Sequence, residues 1–515
     1  MKNSRRLSLA TIGILLYHFL FWQAGYGINL WFFSTFLMVT LLWCSPEVLP
    51  SKKIISLGLG TFLTGGLVVW HHSLLSQVIH LISFVLFTGF ALQPRLRSLL
   101  YGLLTSLTTL LLVPQAGWRF LRKRQSAWQR SFNVSRWGRL LVAPLCFSGV
   151  FLWMFRAGND SFLSFTNHLG EQSFLTLSDF LLHFSWSQMG FTLLGFLIIG
   201  TVFSEQPVRI FTQWDIREPN YLYRKQLQLT HSFKTLALKS ELLTGLLLMG
   251  LVNMMLLLVN YFDITLLWFK FDYSQVDLST ALHEGTYQLI ASILLSMGIL
   301  LYFFRRNLNF YQKNQWLKRL AYLWILQNFI LIISVGLRTY YYIYVYGLAY
   351  KRIGVLVFLL LTLFGLFTLW QKISYKHSFS YLLRQNLWAT YLVFVGLCGI
   401  NWDVLMVRYN LAHPHVISKE VDASFLLARA DHTLFMLHQQ REKLSNTSSE
   451  TRNARNLGQL ANRIEYFMET YEKRRWVAWN YADARTYRLL KKHYSKGLVG
   501  YCHHPPHQHF LSTSE

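Results

Sequence analysis

The chain has 515 residues, of which 53% are hydrophobic, 17% aromatic and only 14% charged, whereas soluble domains carry about 25% charged residues. Its net charge of +26 does not indicate nucleic acid, because the basic residues sit mostly in short loops between apolar runs, as in loops facing an anionic cytoplasmic leaflet. Four cysteines without a CxxC spacing indicate neither a disulfide framework nor a zinc site, and no cofactor is expected.

Twelve hydrophobic segments are predicted, near 7–23, 28–44, 54–70, 74–92, 98–113, 140–156, 187–204, 241–262, 284–304, 320–337, 353–370 and 387–406. Runs of this length suit a hydrocarbon core of about 30 Å. In lipid a lone segment must satisfy its own backbone hydrogen bonds, so each is read as a helix. Lys2, Arg5 and Arg6 before the first run mimic a secretory signal. Five more runs follow before residue 157, which favours a first membrane helix. The expected fold is therefore all-α: a polytopic transmembrane bundle with a small C-terminal helical domain. Its parts are 1–113 (about five hydrophobic segments), 114–139 (a basic loop or interfacial helix), 140–406 (the transmembrane core) and 407–515.

The loop 114–139 holds seven Lys and Arg, 205–240 holds six and 305–319 five, while 157–186 holds none and 263–283 only Lys270. Basic loops inside and acidic loops outside give a regular alternation from residue 114 onward. With 114–139 inside, five crossings put the N-terminus outside despite its cations, unless one early segment does not cross. Within that loop Trp118, Leu121, Trp128 and Phe132 share one helical arc, with Arg119, Arg122, Lys123 and Arg130 beside it. Two readings stand: an amphipathic helix lying on the cytoplasmic leaflet, or a positive-inside loop with aromatic anchors.

Asn253, Asn260 and Asp263 follow one stripe of segment 241–262, either as interhelical glue or as the lining of a polar cavity. His283 and Glu284 open segment 284–304, where a carboxylate is favoured by the helix dipole. From Arg338 to Arg352 two arginines, a ladder of tyrosines and Gly347 join two apolar runs. Beyond residue 406 charge rises. Leu457, Leu460, Ile464, Phe467 and Tyr471 mark one face of an amphipathic helix, with an earlier helical stretch near 420–443 and a third helix from about Trp476. Cys502, His503, His504, His507 and His509 form a terminal tail read as disordered, with metal binding the alternative.

The chain resembles an uncharacterised bacterial multi-spanning membrane family known only as a domain of unknown function, numbered forty-one seventy-three. The matching pieces are Glu241 leading to Asn253, Asn260 and Asp263, His283-Glu284-Gly285-Thr286-Tyr287, Arg338 with Tyr346-Gly347-Leu348 and Arg352, and Arg408-Tyr409-Asn410 with Asp422. They cover roughly 240–425. Ala349 stands where the resemblance implies Thr. The resemblance implies no activity.

The charge topology puts His283, Glu284, Arg338, Arg352, Arg408, Asn410 and the C-terminal helices on the non-cytoplasmic face of a bacterial inner membrane. Arg338 is expected to pair with Glu284 or Asp263, with Arg352 and Arg408 bordering one outward pocket. Interfacial anchoring of the same arginines and tyrosines is the competing reading. The function expected is binding or transport of an anionic small molecule or lipid headgroup. The alternatives are a sensor or scaffold meeting a protein partner through the C-terminal helices (Trp476 and Trp479), and an enzyme with His283 or Glu284 as acid-base. The last is weaker for want of a nucleophile cluster or metal-binding spacing.

Overall fold

The structure is a computed structural model describing residues 2–46, 51–128, 144, 147–151, 153–155, 157–159, 185–204, 209–224, 231–268, 278–304, 307–413, 422–444 and 450–495. Its helices are α1 (Lys2–Phe21), α2 (Ile28–Cys44), α3 (Lys52–His71), α4 (Leu74–Leu92), α5 (Leu99–Trp128), α6 (Trp186–Val202), α7 (Ile210–Arg217), α8 (His231–Phe262), α9 (Leu278–Phe303), α10 (Gln315–Tyr346), α11 (Tyr350–Tyr375) and α12 (Phe379–Leu397). After these come α13 (Trp402–Ala412), α14 (Ala423–Leu427), α15 (Leu434–Gln439), α16 (Arg441–Leu444), α17 (Glu450–Glu472) and α18 (Tyr481–Ser495). Among the described residues no strand forms; Tyr221 and His377 make one isolated bridge.

Five helices are long and apolar enough to cross a membrane: Lys52–His71, Leu74–Leu92, Lys239–Thr265, Gln315–Tyr346 and Tyr350–Tyr375. A sixth crossing results if α12 and α13 count as one span bent by 62°. This is short of the twelve segments expected. Five more apolar helices coincide with predicted segments but are only 10–17 residues long, and 140–156 lies largely outside the described residues. Segment 387–406 also differs from expectation, since the helix stops at Leu397 and restarts at Trp402. Outward residues such as Leu247, Leu251 and Met255 are at least 60% exposed, an apolar surface suited to lipid.

The helices form two packed groups. One core joins α1–α6 through Phe33, Leu37, Leu57, Phe87 and Phe90; the other joins α8–α11 through Met249, Ile293, Leu317, Trp324 and Leu369. Helix α12 serves both, with Tyr391 in the first core and Leu382 in the second. Several buried hydroxyls bond back to carbonyls four residues earlier, as Thr61 does to Leu57 O at 2.8 Å and Ser83 to Ile79 O at 2.7 Å, which satisfies their donors within their own helices.

The two ends of the bundle are marked by buried carboxylates. At one, Asp215 Oδ1 accepts from Arg384 Nη2 at 2.8 Å and Asp215 Oδ2 accepts from the backbone N–H of Arg97 (2.5 Å) and Ser98 (2.9 Å). This ties the start of α5 and the short α7 to α12. At the other, Asp483 of α18 meets His72 at the end of α3. Ser106 of α5 donates to Val85 O of α4, and Gly102 packs against Gly89, so these helices are antiparallel. Helix α5 therefore leaves the Asp215 end and runs toward the Asp483 end, continuing as far as Trp128. The described part of 114–139, as far as Trp128, thus runs along α5 toward the same end as the C-terminal helices, where the loop count expects the opposite end; the rest of 114–139 lies outside the described residues. The early helices all run end to end, which returns α1 to the Asp215 end, where Arg6 reaches Ser45 Oγ at 3.4 Å.

The C-terminal helices have a core of Leu426, Leu434, Leu437, Leu460, Ile464, Phe467 and Leu490, continued by Val407 and Leu411 of α13. They rest on the turn 22–27. Ile28 N donates to Trp479 O at 2.9 Å, and Arg475 donates to Trp22 O at 2.5 Å and Phe19 O at 3.0 Å. A Cβ on Gly27 would lie 2.5 Å from both Ala478 O and Trp479 O, whereas one on Gly25 would meet only Ala478 Cβ at 3.9 Å. Gly27→Ala is therefore expected to lower stability by about 1–3 kcal/mol through overpacking. Gly25→Ala should change it by no more than about 0.5 kcal/mol. Thermal unfolding of the purified protein measures both, and equal effects would contradict the close approach.

Candidate functional site

The expected arginine pocket contracts to a set of structural ties. Arg338 of α10 pairs with Asp263, which opens a π turn after α8. This is one of the two carboxylates expected for it. The side chains of His283 and Glu284 lie outside the described residues, although both positions are in α9. Arg352 Nη1 donates to Tyr346 O at 2.8 Å and to Gly347 O, and its guanidinium lies 4.3 Å from the centre of the Tyr342 ring. It closes the end of α10, where Gly347 turns the chain at φ 79°, a conformation that favours glycine. Asn410 Nδ2 donates to Leu348 O at 2.9 Å, and its Oδ1 accepts from Leu348 N at 2.6 Å. The cavity left between Arg352, Asn410 and Asp422 is about 90 Å³, below the roughly 300 Å³ of small-molecule sites. Arg408 is exposed on α13.

Along the α8–α10 interface, Asn253 donates to Leu320 O at 3.2 Å and Asn260 to Gln327 O at 3.1 Å. These amides link neighbouring helices. Of the basic stretch, Trp118, Arg119, Arg122, Lys123 and Trp128 fall on α5 with side chains outside the described ones, and Arg130 lies outside the described residues altogether. So does the Cys502–His509 tail.

A larger polar cavity, about 450 Å³, lies where the C-terminal helices meet the bundle. Its walls include His72, Tyr350, Asp403, Asp431, His432, Arg463, Arg474 and Asp483. Asp483 is 3% exposed and is built into the first turn of α18. Asn480 Nδ2 donates to Asp483 Oδ2 at 2.9 Å, and Asp483 N donates to Asn480 Oδ1 at 2.8 Å, a reciprocal cap. The same oxygen accepts from Arg474 Nη1 at 2.7 Å and lies 3.2 Å from His72 Nδ1. His72 takes the left-handed conformation, φ 50°, at the end of α3. That conformation is uncommon for a residue other than glycine. Beside it Trp70 stacks on Tyr481 with ring centres 4.5 Å apart.

The rest of the wall is similarly fixed. His432 Nε2 lies 3.1 Å from Asn401 Oδ1, the cap of α13, and His432 O accepts from Thr486 Oγ1 at 2.9 Å. Arg463 pairs with Asp431 and donates to Arg429 O at 3.0 Å. Tyr350 and Asp403 complete the wall. With its Nδ1 committed to Asp483, His72 can offer Nε2 to a ligand. Burial alone would raise the Asp483 carboxyl, but the His72 and Arg474 contacts outweigh it and hold it below the usual carboxylate range. Burial lowers the His432 imidazole, countered in part by the Asp483 and Asp403 charges. None of these residues stands out in the sequence, because α3 and α18 lie far apart along the chain. Among the described residues no cluster has the makings of a metal site.

The model of the family described as Domain of unknown function (DUF4153) matches residues 52–433. That is well over half of the chain, and the chain belongs to this family. The motifs pointed to a membrane family of the same kind under the number forty-one seventy-three. The match carries the number 4153 and begins far upstream of the motif-bearing 240–425. It takes in His72, Asp403, Asp431 and His432 and stops before Asp483. No curated protein and no solved structure matches the chain.

The junction should respond to pH in two steps. Unfolded His432 takes up its proton near pH 6.5, while the folded, depressed imidazole resists, so stability is lost as pH falls below about 6.5. Asp483, also depressed, stabilises above about pH 4 and ceases to do so as pH falls through its folded value. His432→Gln is expected to remove the first loss. Asp483→Asn is expected to cost about 3 kcal/mol at neutral pH by stripping a buried charge pair and to remove the second. Amide exchange in α18 across pH reads both, and an Asp483→Asn profile identical to wild type would contradict the assignment.

Proposed function

We propose that this member of the family is a multi-pass membrane protein that binds a polar, charge-bearing small molecule in the junction cavity. The observation that carries the reading is the cavity itself: about 450 Å³, within the usual range for ligand sites, with two arginines, two histidines and three aspartates in its wall. Each arginine is already steered by a carboxylate, so the site is pre-organised rather than a loose patch of charge. His72, held through Nδ1 by Asp483, would meet the ligand with its ring as a hydrogen-bonding partner.

Orientation follows from the cations. Arg6, Lys53, Arg95, Arg97, Arg209, Arg217 and Lys376 lie toward the Asp215 end, which is read as cytoplasmic in a bacterial inner membrane. The C-terminal helices, read as a small domain over 407–515, are then outside. Helix α5 carries Arg119, Arg122, Lys123 and Arg124 toward that outer side, where an amphipathic helix against the leaflet is the role their spacing supports. Transport of an anionic or amphiphilic ligand is the further step this arrangement would allow. An enzyme is less well supported, since His72 and Asp483 have no adjacent nucleophile assembly. A protein-docking role for the C-terminal helices finds support in Tyr466, 71% exposed on α17. Trp476, by contrast, lies 6.5 Å from the Phe19 ring and suits a headgroup-level anchor.

In a cysteine-free background, single cysteines at Tyr466 and Glu469 should react with a membrane-impermeant maleimide on intact cells. Those at Gln213 and Lys313 should react only after permeabilisation; the reverse pattern overturns the orientation. For the cavity, a panel of small anions and zwitterions is tested by thermal shift on the purified full chain. Compounds that stabilise wild type are expected to lose that effect in Arg474→Gln and His72→Ala. An undiminished response in both variants contradicts the site.

A further inference from the structure

The seam between α8 and α10 holds a series of buried polar atoms that meet no protein partner. Asn253 Nδ2 donates to Met249 O at 2.7 Å and Leu320 O at 3.2 Å, and Asn260 Nδ2 donates to Gln327 O at 3.1 Å. With their N–H groups held by carbonyls, the two amide oxygens must point elsewhere, and neither Oδ1 meets a donor. Gln327 Oε1, Asp263 Oδ2, Trp324 Nε1 and Arg338 Nε are unpartnered in the same way. Asn253, Asn260, Asp263, Gln327 and Trp324 are each at most 6% exposed. Polar atoms left unpaired among apolar helices are costly. Asn29, fully buried in the other core, shows a satisfied amide: its Nδ2 donates to Leu20 O at 3.0 Å and Gly25 O at 2.9 Å, and its Oδ1 accepts from Gly27 N at 2.8 Å and Leu30 N at 2.9 Å.

The unpartnered atoms follow one line. The contacts of Asn253 with Leu320 and of Asn260 with Gln327 advance by the same seven residues on both helices, so α8 and α10 run side by side in one direction. Asn253 and Asn260 are thus about 10 Å apart along the axis. Asp263 and Arg338 stand toward the end where Leu348 bonds Asn410. The Arg338 side chain is 19% exposed, so the line reaches the surface there. Asn253 lies midway along the apolar stretch Lys239–Thr265. Beyond it the seam closes on apolar groups, Met249 and Leu317 in the core and Gly245 tight against Leu317.

Four oxygens and two N–H groups need one ligand that both donates and accepts. Water does so, commonly making about three hydrogen bonds when buried. A metal cation would serve the oxygens alone, and at Asp263 it would meet the Arg338 charge. We infer that water enters at the Asp263–Arg338 pair and binds in file along the α8–α10 seam as far as Asn253, a hydrated half-channel ending in the middle of the apolar span. The amides that join the two helices through nitrogen hold this water through oxygen. The inference does not depend on the junction cavity or on the orientation in the membrane.

The test is water-edited solid-state NMR of the full chain in lipid bilayers, with asparagine and glutamine labelled with the heavy nitrogen isotope. The side-chain amides of Asn253, Asn260 and Gln327 should gain magnetisation from water several-fold faster than that of Asn29. Asn260→Leu should slow the transfer to Asn253, whereas Asn253→Leu should leave Asn260 as wet as in wild type. Transfer to Asn253 and Asn260 no faster than to Asn29 overturns the water file, and this comparison needs only the wild type. An unchanged Asn253 in the Asn260→Leu variant overturns entry from the Asp263–Arg338 end. Loss of the water transfer with a shift of these amide signals when sodium replaces choline would mark a cation site and overturn the assignment to water. An unmoved Asn29 signal confirms that each variant is folded.

Discussion

The arrangement of the C-terminal helices depends on one buried carboxylate. Asp483 is almost fully removed from solvent, and a buried charge is tolerated only where it is paired and hydrogen-bonded. Its partners come from three places: His72 from the bundle, Arg474 from the turn after α17, and Asn480 from its own helix. Removing any of them leaves the others facing an incomplete charge set. The same constraint orders the neighbourhood. It holds His72 in a left-handed conformation, sets Trp70 against Tyr481, and brings Ala478 and Trp479 so near Gly27 that no side chain fits between. The junction cavity is a consequence, being the space left when helices tied at these points cannot close further.

Asp215 does similar work at the other end. Arg384 reaches it with Nε at 3.1 Å and Nη2 at 2.8 Å, and also donates to Asn220 Oδ1 at 2.7 Å. Because Asp215 also caps the start of α5, the clasp joins the two helical groups through α12. Lys372, 1% exposed, donates to Phe304 O at 3.0 Å and His377 O at 3.1 Å and so binds α11 to the end of α9. Asp263 and Arg338 add a pair between α8 and α10. Charges within apolar helices are costly unless they find such partners. Here each one fastens an end or an interface.

Much of the architecture was legible in the sequence because apolar length is a local property. The helical stretches, the amphipathic α17 and the amides of α8 as interhelical links all follow from spacing. For Arg338 the sequence narrowed the partner to Glu284 or Asp263, and Asp263 takes it. Arg352 and Asn410 were harder to read. A guanidinium and an amide beside a helix end can serve a ligand or the chain's own carbonyls, and here the carbonyls of Tyr346, Gly347 and Leu348 take them. A loop count treats 114–139 as one turn, whereas α5 runs on to Trp128. The break after Leu397 falls at Gly399 and Asn401, with Asn401 capping the next helix, a turn signal that the apolar reading of 387–406 passes over. His72 and Asp483 carry no local signal at all, since only tertiary packing brings them together.

The direct test of the docked arrangement is a disulfide between positions 25 and 478. A Cβ built on Gly25 lies 3.9 Å from Ala478 Cβ, inside the range of native disulfides. In a cysteine-free background, Gly25→Cys/Ala478→Cys should cross-link in native membranes under mild oxidation. Mass spectrometry should then find the linked peptides within one chain. Failure to link, while a control pair within α17 reacts with maleimide normally, would show that the C-terminal helices do not sit on the bundle as described.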